Sequence, residues 1–296
     1  MQRSTLLLLF CLPALAAADN LPGYVLLLPE SVETVLIAET DTATLHRYAV
    51  NNTTVTSTDT RRMSIGQNGV DKTRSGDRRT PLGVYFVVEN LDTRNLHDKY
   101  GPVAFPLDYP NAWDVRNKRT GSGIWIHGVA AGGGPRPEHD TDGCIALSND
   151  ELLALEPDLT PLRTPVIVIR RLQAADSADT RAVRDELLAA LNEWQSGYRD
   201  GDWHRYLSVY ADEFTHRGLD RDEWSAYRLG TVGHRTIDDF AIDDIMLIAD
   251  PEDEGLFLSR FRQVISEAGR SVVTTKRLYW RKSAGGAFKV VAEDNG

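Results

Sequence analysis

Around residue 176 the chain changes the period of its apolar pattern, and that switch constrains the fold more than any other feature. Before it, short β-branched and aromatic runs ("YVLLL" from Tyr24, "ETVLIAE" from Glu33, "TATLHRYAV" from Thr42, "TTVTST" from Thr53) are separated by Pro, Asp and Asn, the pattern of meandering strands. "GDRRTPLGVYFVVEN" adds a Pro/Gly turn and a strand at Val84 to Val88, "SGIWIHG" a strand ending at His127, and "TPVIVIR" a closing strand. "SNDELLALEP" predicts a short helix with Ser148 or Asn149 as N-cap. After the switch, Val183, Leu187, Leu191, Trp194 and Tyr198 recur at helical steps, and Trp203, Tyr206, Leu207 and Tyr210 offer a second helical stripe. Strand-like runs occupy the chain from Ile242 onward. The pattern predicts a mainly β domain over residues 19–171, a small polar linker over 172–180, and a smaller α+β domain over 181–296 with helices packed on an antiparallel sheet.

A chain of 296 residues is long enough for two domains that each bury a core. Hydrophobic residues at 42% and charged residues at 26% exclude disorder, collagen-like and coiled-coil classes. The net charge is −10, and from Asp176 onward 23 acidic residues face 16 basic ones. Bulk electrostatics therefore argue against a nucleic-acid partner.

The first residues, "MQRSTLLLLFCLPALAAADN", place Arg3 before an apolar run from Leu6 to Leu15 and small residues at Ala14, Ala16, Ala17 and Ala18. This is the pattern of a secretory signal peptide over residues 1–18, cleaved after Ala16 or Ala18. The run is shorter than the roughly 20 residues a spanning helix needs, so no membrane span is expected. The mature protein is expected in the periplasm or otherwise exported.

Loss of Cys11 with that segment leaves Cys144 without an intramolecular partner. An odd thiol in an oxidising compartment is either a buried structural residue or a reactive nucleophile. Cys144 lies seventeen residues after His127, behind the Gly-rich loop "VAAGGGPRPEHDTDG". A thiol attacks as thiolate and an ordinary cysteine is mostly protonated at neutral pH, so a nearby imidazole that takes its proton makes it competent. Gly143 permits a tight turn that would aim backbone amides at a developing oxyanion.

The motifs "GDRRTPLGVY", "LDYPNAWD", "TGSGIWIHG" and "TDGCIAL", in this order, resemble the L,D-transpeptidase catalytic domain (YkuD-type) over roughly residues 33–170. The resemblance implies the L,D-transpeptidase fold, Cys144 as nucleophile and His127 as its general base and acid. It also implies that the Gly128 carbonyl orients His127, and that Thr141 and Gly143 complete the nucleophile motif. Tyr109, Asn111, Arg119, Ser122 and Gly123, in the motifs before the histidine, are expected to line the substrate cleft together with Thr141. Many relatives carry Arg two residues after the nucleophile, where this chain has Ala146. The "GCIAL" variant is similar to a sub-branch that includes L,D-carboxypeptidases acting on cell shape, some with a C-terminal domain like nuclear transport factor 2. The helices-then-strands layout resembles that second domain. The implied substrates are peptidoglycan stem peptides, attacked through a thioester whose acceptor is an amine or water, with no cofactor.

Three other readings compete. A non-catalytic wall-binding or scaffolding protein would use the C-terminal domain to recruit a protein partner or a second copy of the chain. His127, His139, Asp140, Asp142 and Cys144 would be candidate ligands of a metal site, but zinc sites usually show closer ligand pairs, so no metal is expected. Cys144 as a small buried hydrophobe is the structural reading.

Overall fold

The computed structural model describes residues 21–134, 136–172, 177–233 and 237–296. The expected signal peptide and the centre of the expected linker lie outside the described residues. The chain opens with β1 (Val25–Leu27) and runs through β2 (Thr34–Glu39), β3 (Thr44–Asn51) and β4 (Thr54–Arg62). Next come β5 (Ile65–Gly66), β6 (Gly83–Phe86), β7 (Leu91–Asp92) and β8 (Val103–Pro106). Helix α1 (Ala112–Arg116) precedes β9 (Trp125–His127), β10 (His139–Thr141) and β11 (Ile145–Ala146), and α2 (Asn149–Leu155) and β12 (Pro165–Ile169) close this half.

A five-stranded sheet has the order β4-β3-β2-β12-β6, with β2 and β12 parallel and the other neighbours antiparallel. A smaller sheet, β11-β9-β8-β7, carries the His and Cys motifs. Alternation along β2 and β12 explains why both read as unbroken apolar runs. Leu36, Ala38, Val166 and Val168 face the core of the first domain, where they meet Ile126 and Ile145 from beneath the small sheet. Val35, Ile37, Ile167 and Ile169 face the other way and pack against Met246, Ile248, Leu258 and Val291 of the second domain.

The second half contains α3 (Ser177–Arg199), α4 (Trp203–Ser208), the short strands β13 (Thr215–His216) and β14 (Leu219–Asp220), and α5 (Arg221–Val232). Long strands β15 (Asp239–Ala249), β16 (Leu256–Glu267), β17 (Arg270–Lys282) and β18 (Phe288–Asp294) follow. Its sheet has the order β1-β15-β16-β17-β18, so the first strand of the chain completes the second domain: Val25 pairs with Ile248 and Leu27 with Leu247. The sequence pattern groups that strand with the first half, because nothing local distinguishes its partner. Likewise α3 begins at Ser177, inside the segment expected to be linker.

The interface also carries polar contacts. Arg277 of β17 joins Asp108 of the first domain and Asp294 of β18, and the Ala112 amide donates to Asp294 Oδ2 at 3.1 Å. Trp113 Nε1 donates to Asp253 Oδ2 at 3.1 Å. The two domains therefore share one apolar layer bounded by buried charge pairs. Among the described residues, no helix is long and apolar enough to cross a membrane.

Candidate active site

β9 and β11 run parallel, with Ile145 beside Ile126 and Ala146 beside His127. Ile126 and Ile145 are fully buried in the first core. Strand alternation then turns His127, Ala146 and the preceding Cys144 to the opposite face. This juxtaposition comes from pairing across a seventeen-residue loop excursion.

The turn before Cys144 is pinned from both sides. Thr141 Oγ1 donates to the Cys144 carbonyl at 2.7 Å and accepts the Gly143 N–H at 3.1 Å. Thr80 Oγ1 donates to the Gly143 carbonyl at 3.0 Å and accepts the Gly66 N–H at 2.9 Å. Gly143 has φ of 126°, and a Cβ there would sit 2.6 Å from the Arg79 carbonyl oxygen, so only glycine fits.

Cys144 is 9% exposed, and its Sγ donates to the Gly123 carbonyl at 3.3 Å. Burial pushes the thiol pKa up; a hydrogen bond from the Trp125 backbone and the Lys99 charge oppose that rise. His127 is 4% exposed, and its Nδ1 lies 2.6 Å from the Gly128 carbonyl oxygen. Burial lowers the imidazole pKa to about 4 against the pull of that carbonyl, with the Arg136 and Lys99 charges assisting. A neutral ring whose Nδ1–H is held by Gly128 presents Nε2 as a free acceptor. The Tyr100 ring packs edge-on against the imidazole, with centroids 5.2 Å apart. Among the described residues no hydrogen bond joins the thiol to the imidazole, a separation common where catalytic contacts tighten only around a substrate.

The ten expected site residues divide. Cys144, His127, Gly128, Gly143, Thr141 and Gly123 cluster at this turn, with Ser122 exposed next to Gly123. Three roles need correction. Gly143 cannot offer its amide to an oxyanion, because that N–H already donates to Thr141 Oγ1; the Cys144 amide has no acceptor among the described residues and is the better placed donor. Thr141 is buried and spends its hydroxyl on the turn, so it shapes the site without facing substrate. Gly123 contributes a carbonyl that holds the thiol, as well as an exposed backbone.

Tyr109, Asn111 and Arg119 do not line the cleft. Tyr109 is buried against Tyr85, with its hydroxyl donating to the Thr120 carbonyl at 3.2 Å. Asn111 is the N-cap of α1, accepting from the Asp114 amide and donating Nδ2 to the Val84 carbonyl. Arg119 pairs with Asp114 at 3.1 Å beside a polar pocket at the domain interface.

Sequence reasoning missed Tyr100, Trp125 and Asn149 as supports. The cap left open between Ser148 and Asn149 resolves on Ser148, which forms a capping box with Glu151. Asn149 Oδ1 instead accepts the Val129 amide at 2.8 Å and sits where a Gly128 Cβ would be 2.2 Å away. The "HG" pair is thus fixed by packing as well as by chemistry. Among the described residues no group of three or more His, Cys, Asp or Glu could hold a metal, and His139 lies near the Gly66 carbonyl at 3.3 Å.

The L,D-transpeptidase catalytic-domain (YkuD) profile matches residues 33–168. Residues 33–168 are a YkuD-type L,D-transpeptidase domain. The profile of the Cds6 C-terminal NTF2-like domain matches residues 186–294, so the YkuD domain is followed by an NTF2-like one. Two solved structures share this two-domain fold. Bd1075 of Bdellovibrio bacteriovorus is 22% identical, with TM-score 0.72, over 93% of this chain and 98% of that one. The helical cell shape determining protein Pgp2 of Campylobacter jejuni is 23% identical, with TM-score 0.72, over 88% of this chain and 91% of that one. Among curated proteins none matches the sequence.

An open cavity of about 680 Å³ lies between the NTF2-like domain and α1 of the YkuD domain, lined on the NTF2-like side by Tyr198, His216, Arg228, Gln263, Lys276 and Glu293. Among the described residues, Tyr198 Oη, Arg228 Nε and Gln263 Oε1 are buried without a hydrogen-bond partner. Such orphaned polar atoms are costly unless something satisfies them.

Proposed function

We propose that this protein is an exported, cysteine-dependent acyltransferase of peptidoglycan stem peptides, working as an L,D-transpeptidase or L,D-carboxypeptidase in cell-wall remodelling and cell shape. The observation that carries this reading is the placement of Cys144 and a neutral His127 on one face of the small sheet, within a YkuD domain. Nε2 accepts the thiol proton as Sγ forms a bond to the carbonyl carbon of the third stem residue. The C–N bond to the terminal D-alanine breaks, and the imidazolium returns the proton to the departing amine. The Cys144 amide supports the oxyanion during both steps. The thioester then passes its acyl group to water, giving a tripeptide, or to an amine, giving a cross-link.

Hydrolysis stands at least level with cross-linking, because Ala146 occupies the position where many relatives carry Arg and an NTF2-like domain follows. Incubating the mature protein with tetrapeptide muropeptides tests this. Release of tripeptide and D-alanine, lost in Cys144→Ala, supports it; dimers without tripeptide overturn the hydrolytic version, and inert wild-type protein overturns the enzyme.

A second reading is favoured by the orphaned polar atoms of the NTF2-like cavity. In it the C-terminal domain binds a wall component or a partner, and cell shape depends on that binding alone. Full biological function of Cys144→Ala would support this reading over catalysis.

A further inference from the structure

A cavity of about 680 Å³ is lined by Arg62, Ser64, Val129, Arg136, Ala146 and Asn149 among others; Cys144 and His127 are not part of its lining, and Ala146 links it to their face. Ala146 stands beside His127 in the β-ladder, and paired strands lie about 4.8 Å apart, so the cavity begins within one residue of the imidazole. A substrate whose scissile carbonyl sits at Cys144 must send its next atoms in one of few directions, and this is an open one.

Resting on the proposed function, we infer that Arg136 is the specificity-determining residue that recognises the terminal carboxylate of the acyl donor in this cavity. Its guanidinium is held in place: Nε donates to Asp140 Oδ2 at 2.8 Å and Nη2 to the Asp140 carbonyl at 2.7 Å. Among the described residues Nη1 has no acceptor. Asp140 lies on β10, the strand that continues through Thr141 into the nucleophile turn, so the fork and the thiol are positioned by one element. Asp140 is therefore a positioning residue. The charge of Arg136 also reaches His127, where it helps keep the ring neutral.

Other cations fit less well. The Arg62 side chain is 68% exposed at the rim and lies 3.5 Å from Glu138. Lys99, whose charge also reaches the imidazole, is exposed over the Tyr100 ring and outside this cavity. A planar fork in a sheltered, preset orientation recognises a carboxylate better than a mobile ammonium.

The test measures D-alanine release from a tetrapeptide muropeptide and from the same compound ending in a carboxamide, using wild type, Arg136→Ala and Arg136→Lys. We expect Arg136→Ala to raise KM for the acid about tenfold or more, with kcat changed far less. Wild type should disfavour the carboxamide by a similar factor, Arg136→Ala should lose that discrimination, and Arg136→Lys should recover part of it. An unchanged KM in Arg136→Ala overturns the inference, as does an equal loss on both substrates, which marks a structural role. Wild type inert on both compounds overturns the proposed function and this subsite with it.

Discussion

The Nδ1 of His127 lies 2.6 Å from the carbonyl oxygen of Gly128, its own neighbour in the chain. That contact fixes the tautomer, and among the described residues no carboxylate hydrogen-bonds the ring as a third member. Burial then dominates and takes the imidazole pKa to about 4. The ring stays a competent acceptor until the pH falls to that region. We expect kcat/KM for D-alanine release to hold from pH 7 to about 5 and to fall on an acid limb near 4. A pH–rate profile with a limb near the ordinary histidine value of about 6.5 would contradict this. The same shift has a sign for stability. A lowered histidine pKa stabilises the fold above the unfolded value, and that contribution is lost as pH falls toward 4.

Thr141 satisfies two backbone groups of the nucleophile turn with one hydroxyl. Thr141→Val keeps the shape but leaves the buried Gly143 N–H without an acceptor, at a cost of about 1–3 kcal/mol. Thermal unfolding should record that loss, and kcat should fall with little change in KM, because the hydroxyl holds the nucleophile and does not face substrate. Thr141→Ser should restore both. A variant with wild-type kcat would remove the turn from the catalytic geometry.

Much of this was legible in the sequence, and the misses share a cause. The switch of period matches the change from a mainly β to an α+β fold, and the two motifs singled out around His127 and Cys144 fall on the paired strands β9 and β11 and the turn before β11. Asn111 and Arg119 were misplaced because motif order along the chain says nothing about which side of a strand a loop takes; their partners, Val84 and Asp114, are set by tertiary path. The runs "ETVLIAE" and "TPVIVIR" read correctly as strands. What covers their second face was invisible, since an apolar residue looks the same beneath a helix, a loop or another domain.

Arg277 is buried between Asp108 and Asp294, where the Asp108 carboxyl pKa is pushed up by burial against the guanidinium's pull. Arg277→Ala strands Asp108 in the interface, and removal of one partner of a buried pair costs about 3–5 kcal/mol. A carboxyl with a raised folded pKa favours the fold at low pH, and that contribution fades as pH rises. The deficit of the variant in urea unfolding should therefore shrink as pH is lowered from 7 toward 5. A deficit independent of pH would show that Asp108 is relieved by solvent.

Separating the domains should cost more than any of these changes. Cutting the chain at residue 172 removes Met246, Ile248, Leu258 and Val291 from Val35, Ile37, Ile167 and Ile169, and leaves the middle sheet bare on one face. It also strands β1, whose ladder partner is β15. Contiguous apolar patches beyond a few hundred Å² drive association, so residues 21–172 expressed alone should aggregate or bind a hydrophobic dye. Replacing Ile37 and Ile167 by Thr in that fragment should reduce the association, because both side chains face the lost domain while Leu36 and Val168 keep the first core. Light scattering and dye fluorescence measure this. A monomeric, dye-silent fragment would mean that the NTF2-like domain is an appendage to the YkuD fold, and that the shared apolar layer is not part of what holds the small sheet and its thiol in place.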